Sequence, residues 1–199
     1  MEKAQLGRPR AFDAEVALEK AMLAFWERGY EGASLAGLTE AMGISRKSMY
    51  AAFGNKEQLF RKALERYTEG PGAYVTRALQ APTAREVATV FLAGSVLANT
   101  RPGCPAGCLG VQGALAAGET GRVARDITAE WRAEGQVLLR DRFQRAAQEG
   151  DLPAGADPDL IARYVMTIAN GIAVQAAGGA ACEDLQRVAD AALRNWPPA

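Results

Sequence analysis

Histidine is absent from this 199-residue chain. That excludes every triad or dyad that uses an imidazole as base, and a four-ligand zinc site would need all the cysteines plus a carboxylate or an external ligand. The 3 cysteines, Cys104, Cys108 and Cys182, are odd in number and too few for a disulfide framework. A reducing cytoplasm is the simplest expected setting. No run of 18 or more apolar residues occurs, so no membrane span is expected, and the N-terminus lacks the apolar core of a signal peptide. GxSxG, P-loop and GxGxxG patterns are missing, as is any segment with strand-like alternation. These absences argue against an enzyme and give no reason to expect a cofactor or a metal.

Net charge is lacking too, because 23 basic and 23 acidic residues cancel. Whole-chain charge therefore gives no hint of nucleic acid, but its distribution does. Residues 3–10 carry Lys3, Arg8 and Arg10 with no acid, and between Glu40 and Glu57 stand Arg46, Lys47 and Lys56 with none. What is present is ordinary for a globular chain, 49% hydrophobic and 23% charged.

The stretch from Ser34 to Lys56 is the most informative. Ser34 is a natural N-cap, and Leu35, Leu38 and Met42 recur at helical spacing. Gly43 ends that helix, since a C′ residue commonly takes the left-handed conformation that glycine adopts without steric cost. Ile44 plugs the corner and Ser45 caps a second helix that lasts until Gly54. A helix, a short glycine-containing turn and a second helix form the helix-turn-helix pattern. In the second helix Met49, Ala52 and Phe53 supply an inward face, while Arg46, Lys47, Ser48 and Tyr50 point out. Donors at its N-terminal end with no carboxylate to repel phosphate suit major-groove reading. A solvated helical hairpin is the competing explanation.

Residues from about Gly7 to Tyr67 resemble the N-terminal DNA-binding domain of TetR-family transcriptional regulators. The resemblance rests on Phe25-Trp26-Glu27-Arg28-Gly29-Tyr30, Ser34-Leu35, Met42-Gly43-Ile44-Ser45, Met49-Tyr50-Ala51-Ala52-Phe53 and Asn55-Lys56-Glu57-Gln58-Leu59-Phe60. One departure is Thr39, where the family usually has a small alanine. The resemblance implies a homodimeric, ligand-responsive regulator, a repressor, that binds a palindromic double-stranded operator. Arg46 and Lys47 are the expected readers of base edges, arginine above all because its fork matches guanine O6 and N7. Ser34, Ser45, Tyr50 and Lys56 are expected on phosphates, and Ser48 shares their outward face. Similar basic arms lie along DNA in the family, which brings in Arg8 and Arg10; a frayed solubilising tail is the alternative. A helical protein-interaction module that never meets DNA is the alternative for the whole chain.

The expected fold is all-α. Residues 1–54 form the helix-turn-helix domain and 55–199 a regulatory and dimerisation domain, joined by a fourth helix over about 55–69. The first helix starts at Asp13 and stops at Gly29, with Leu18, Ala21, Met22 and Phe25 on one stripe. Asn55 and Gln58 suggest a capping box for the fourth. Further helices are expected after Thr83, over Cys108–Ala117, over 119–149, after Asp157-Pro158 and over 183–195.

In this second part the resemblance lies in Gly107-Cys108-Leu109-Gly110 and Gln112-Gly113-Ala114-Leu115. It implies a sensor and dimer module whose last two long helices pair across a twofold axis. The small-residue run from Ala169 to Gly178, with Gly171, Ala173 and Ala176, is then the expected interface, joined by Leu185, Val188 and Ala192. An ordinary buried helix would show the same run. Apolar stripes over 87–98, 123–143 and 161–172 suggest a pocket lined by Phe91, Trp131, Phe143 and Tyr164, suited to a mainly apolar effector. Cys104 and Cys108, four apart at a loop–helix boundary, offer a redox or metal switch, since a helix N-terminus favours thiolate. Buried structural thiols are the other reading.

Overall fold

A computed structural model describes residues 12–112, 121–194 and 196–198. Among these residues the chain is helical with no strand, in the order α1 (Ala14–Gly32), α2 (Leu35–Met42), α3 (Arg46–Phe53), α4 (Lys56–Glu69), a 3-10 turn (Pro71–Ala73), α5 (Tyr74–Leu79), α6 (Ala84–Asn99), α7 (Leu109–Gln112), α8 (Arg122–Gln148), α9 (Pro158–Ala177) and α10 (Cys182–Arg194).

Local chemistry sets the helix starts. The Asp13 carboxylate accepts from the Glu15 and Val16 amides, at 2.9 and 3.2 Å. Asn55 and Gln58 close a reciprocal capping box on α4, and Thr83 and Glu86 do the same for α6. Asp157 caps α9, with Pro158 in its first turn. The first helix departs from its expected stop: Gly29 breaks it with φ 70 and ψ 171, but helical turns resume to Gly32. The helix expected over Cys108–Ala117 is seen only as Leu109–Gln112, and Gly113, Ala114 and Leu115 lie outside the described residues.

Two cores result. The first gathers Phe25, Trp26, Leu38, Met49, Phe60 and Tyr67, and continues past residue 54 into Cys108, Leu109, Val111, Ala124, Ile127 and Ala173. The second joins Phe91, Leu92, Leu139, Phe143, Ile161, Val165 and Leu185 from α6, α8, α9 and α10. Each large side chain so buried contributes about 1.5–3 kcal/mol. Helix α9 is long and apolar enough, by length and composition, to cross a membrane. Its Ile161, Ala162, Val165, Ala169, Ile172, Ala173 and Ala176 are instead buried within this fold, and its exposed side carries Arg163 and Thr167.

Candidate nucleic-acid interface and sensor cavity

Helices α2 and α3 are held at a fixed angle by their own ends. The Ser34 Oγ accepts from the Gly37 amide at 3.1 Å. Gly43 takes φ 69 and ψ 30, a left-handed conformation, so its N–H returns to the Glu40 carbonyl and the Ile44 N–H to that of Thr39, each at 3.1 Å. The Thr39 hydroxyl donates to the Leu35 and Ala36 carbonyls, which satisfies that side chain within its own helix. Ser45 Oγ then accepts from the Ser48 amide at 3.1 Å, and the two hydroxyls lie 2.9 Å apart.

Met49 and Phe53 are buried under α3, while Arg46, Lys47 and Tyr50 are exposed. Among the described residues neither Arg46 nor Lys47 is held in an ion pair, so both heads are free to reorient. Lys56 differs, because its Nζ sits 4.4 Å from the Tyr30 ring centroid. Burial lowers its pKa, with Glu31 acting the other way. Arg8 and Arg10 lie outside the described residues.

A cavity of about 120 Å³ opens among α4, α5, α6, α8 and α9. Its walls are mainly Val75, Phe91, Val111, Trp131, Leu138, Met166 and Ala169, with Asn99, Arg132, Glu134 and Asn170 as polar groups. Of the four expected lining residues, Phe91 and Trp131 are there and the others are not. Phe143 turns into the second core, 5.7 Å from the Trp196 ring. The Tyr164 hydroxyl donates to the Ala192 carbonyl at 3.3 Å, which commits the ring to the α9–α10 contact.

Three aromatic residues link the cavity wall to α1 and α4. Trp26 of α1 meets Tyr67 of α4 edge-on at 5.0 Å, and Tyr67 meets Trp131 of α8 at 6.2 Å. The Trp131 indole donates to the Thr68 hydroxyl at 2.9 Å, and Arg61 pairs with Glu130 at 2.9 Å. The Trp26 indole donates to the Gly107 carbonyl, buried, at 2.9 Å. Gly107 has φ 84, and a Cβ there would come within 2.9 Å of Ala177 and 3.0 Å of the Ala173 carbonyl, so only glycine presents its carbonyl this way. The partner of Trp26 lies 81 residues along the chain and leaves no local signal in the sequence.

Cys108 is buried where the chain enters α7 and Cys104 is half-buried. The Gly110 and Val111 amides and the Tyr67 hydroxyl all reach the Cys108 sulfur and favour thiolate, as a helix N-terminus should. Burial is the larger effect and pushes the thiol up. The expected result is that iodoacetamide at pH 8 labels Cys104 and Cys182 well before Cys108, with Cys108 catching up in denaturant. Mass spectrometry showing Cys108 labelled first would contradict this.

The expected interface residues separate into two sets. Ala173, Ala176 and Leu185 are buried inside the subunit at 2%, 2% and 1% exposure, and Ala192 at 9%. Their small size lets α9 and α10 approach their own neighbours, so they are core rather than contact surface. Gly171 and Val188 remain exposed. Leu160, Arg163, Thr167, Gly171 and Val174 form one exposed stripe on α9, and Val188 is exposed on α10.

Comparison with known proteins is consistent across the chain. Residues 17–63 match the family of bacterial regulatory proteins of the tetR type, and residues 87–192 match the tetracyclin repressor-like C-terminal domain. The HTH-type transcriptional repressor ComR of Escherichia coli (strain K12) is 33% identical over 198 residues, covering 98% of this chain and 94% of ComR. BdcR of the same strain, another HTH-type transcriptional repressor, is 28% identical over 90% of this chain and 86% of its own length. A solved structure of a cysteine mutant of the TetR family regulator CifR, complexed with 26 bp operator DNA, superposes with a TM-score of 0.89 at 45% identity, covering 96% of this chain and all 100% of CifR.

Proposed function

The chain belongs to the TetR family of transcriptional regulators, and from that premise we propose that it is a repressor that binds a palindromic operator as a homodimer and releases it on binding a small effector. The observation that carries this reading is α3 itself: a capped helix on a buried base, with Arg46, Lys47 and Tyr50 exposed and no acid on its surface. Residues 1–54 act as the reading head and 55–199 as the sensor and dimer module, with α4 between them.

Arg46 and Lys47 would meet base edges. Ser34, Ser45, Tyr50 and Lys56 would hold phosphates, Ser48 would support Ser45, and Arg8 and Arg10 would follow the minor groove. The exposed stripe of α9, with Val188 of α10, would pair with its twofold mate. A ligand against Trp131 would press on Tyr67 and on the Thr68 bond, tilt α4, and so change the separation of the two copies of α3. Reading heads of such dimers sit roughly 34–36 Å apart, one turn of DNA. To release the operator the ligand must bind the non-binding conformation more tightly, and a hundredfold difference corresponds to about 2.7 kcal/mol. The reading is of a regulator rather than an enzyme, in a cytoplasmic setting that suits three free thiols.

The direct test is binding of the purified protein to the DNA upstream of its own gene. Salt-sensitive preference for a palindrome over random DNA is expected; equal binding to both would favour the protein-interaction reading. Within a cognate site, Arg46→Ala is expected to cost about 1–3 kcal/mol and relax preference at one position of each half-site. Lys56→Ala should weaken all sequences alike and flatten the salt dependence. Equal losses of selectivity in the two variants would show the roles are misassigned.

A further inference from the structure

We propose that Asn99 is the polar anchor of the effector, and that the effector is a compact, mainly apolar molecule carrying one hydrogen-bond donor. This rests on the reading of the cavity as the effector site. Asn99 closes α6 at 2% exposure and lines the cavity. Its Nδ2 donates to the Ser95 carbonyl at 2.7 Å and to the Ser95 hydroxyl at 3.1 Å. A carbonyl only accepts, so the amide cannot be flipped: nitrogen faces Ser95 and Oδ1 faces away. The Asn99 main-chain carbonyl is also occupied, accepting from Gly107 at 2.9 Å. Of the polar atoms of Asn99, Oδ1 is the one left buried with no hydrogen-bond partner among the described residues.

A buried acceptor without a donor is costly, and native structures rarely keep one without a reason. The cavity's walls are mainly apolar or aromatic, with Val75, Phe91, Trp131, Leu138 and Met166, and Glu134 and Asn170 are further polar groups. The polar wall nearest in kind, Arg132, already donates to the Gly110 carbonyl at 2.6 Å. An amide oxygen attracts an O–H or N–H and repels a carboxylate, so the group it takes is an alcohol, a phenol or an amine. Size narrows the choice further. At about 120 Å³ the space is close to a dry cavity of about 150 Å³ that takes up benzene, and well below drug-sized pockets. One ring of six carbons with one donor fits those limits.

Phenol and toluene differ only by hydroxyl against methyl and serve as the probes. Sites built to hydrogen-bond a hydroxyl reject the isostere that lacks it, because the site's own group is then left unpaired. In the full-length protein, titration followed by the Trp131 indole N–H resonance is expected to show phenol binding about tenfold more tightly than toluene. Asn99→Leu, which removes the acceptor, is expected to reverse that order. Toluene binding as tightly as phenol to the unmutated protein overturns the anchor while leaving the cavity reading intact; so does an unchanged phenol preference in Asn99→Leu. If that variant does not fold, the phenol–toluene comparison in the unmutated protein decides alone. Failure of both probes to move the Trp131 resonance up to their solubility limits overturns the cavity reading, and the anchor with it.

Discussion

Val174→Arg is expected to give folded monomers whose operator affinity falls by about 10²–10⁴-fold, the range by which tethering two binding modules raises avidity. Val174 is 47% exposed in the last turns of α9, in line with Gly171, and Val188 of α10 is 43% exposed. Neither side chain belongs to the second core, so a charge at either position leaves the subunit's packing untouched. An arginine on the twofold stripe would face its own copy, and like charges held together in a desolvated contact are repelled. A monomer still reads one half-site, so what disappears is the simultaneous engagement of the second. Sedimentation velocity and operator titration read the two effects separately. A Val174→Arg protein that remains dimeric at micromolar concentration with full operator affinity would place the interface on another face. Charged substitutions at Ala173 or Ala176 would not make the same test, because they would unfold the subunit before they reached an interface.

Arg142→Ala is expected to destabilise the protein by about 2–4 kcal/mol, combining unsatisfied buried carbonyls with a cavity. Arg142 is only 6% exposed. Its Nε donates to the Leu79 carbonyl at 3.2 Å, and its Nη2 to those of Ala81 and Pro82 at 2.7 and 2.9 Å. Those carbonyls belong to the end of α5 and the turn into α6, where no helical amide is available to meet them. One guanidinium from α8 therefore ties the corner that carries Tyr74 and Val75 to the cavity wall. For a chain of this size the loss corresponds to a fall in Tm of roughly 4–16 °C. Arg142→Lys should recover only part of it, since an ammonium cannot present the planar fork that reaches several acceptors at once. The effector response should weaken along with stability, because α5 is loosened. A thermal midpoint within 2 °C of the unmutated protein, about the size of a negligible surface change, would show that the corner holds without this arginine.

What the sequence by itself determined is local. Ser34, Ser45, Asn55, Thr83 and Asp157 accept from amides two or three residues on, and the Gly43 amide donates to carbonyls three and four residues back, so these helix ends and the outward face of α3 were legible from spacing. The all-helical class and the reading head followed from the same short-range rules. What only the tertiary structure decided concerns partners far along the chain. Phe91, Trp131, Phe143 and Tyr164 all lie on apolar faces, and periodicity cannot say which meets a cavity and which a neighbouring core helix. Ala173 and Ala176 illustrate the same limit, since small residues permit close approach whether the other helix belongs to the same subunit or its mate. Cys108 had the helix N-terminus its motif promised, but how deeply that end is buried, which sets the sign of its shift, depends on α1, α4 and α8 folding over it. Trp26 on Gly107 and Arg142 on the α5–α6 corner have no sequence signature at all, because a hydrogen bond closed across 60 or more residues is fixed by packing and not by spacing, and the Asn99 oxygen is left unpaired only because the fold buries it.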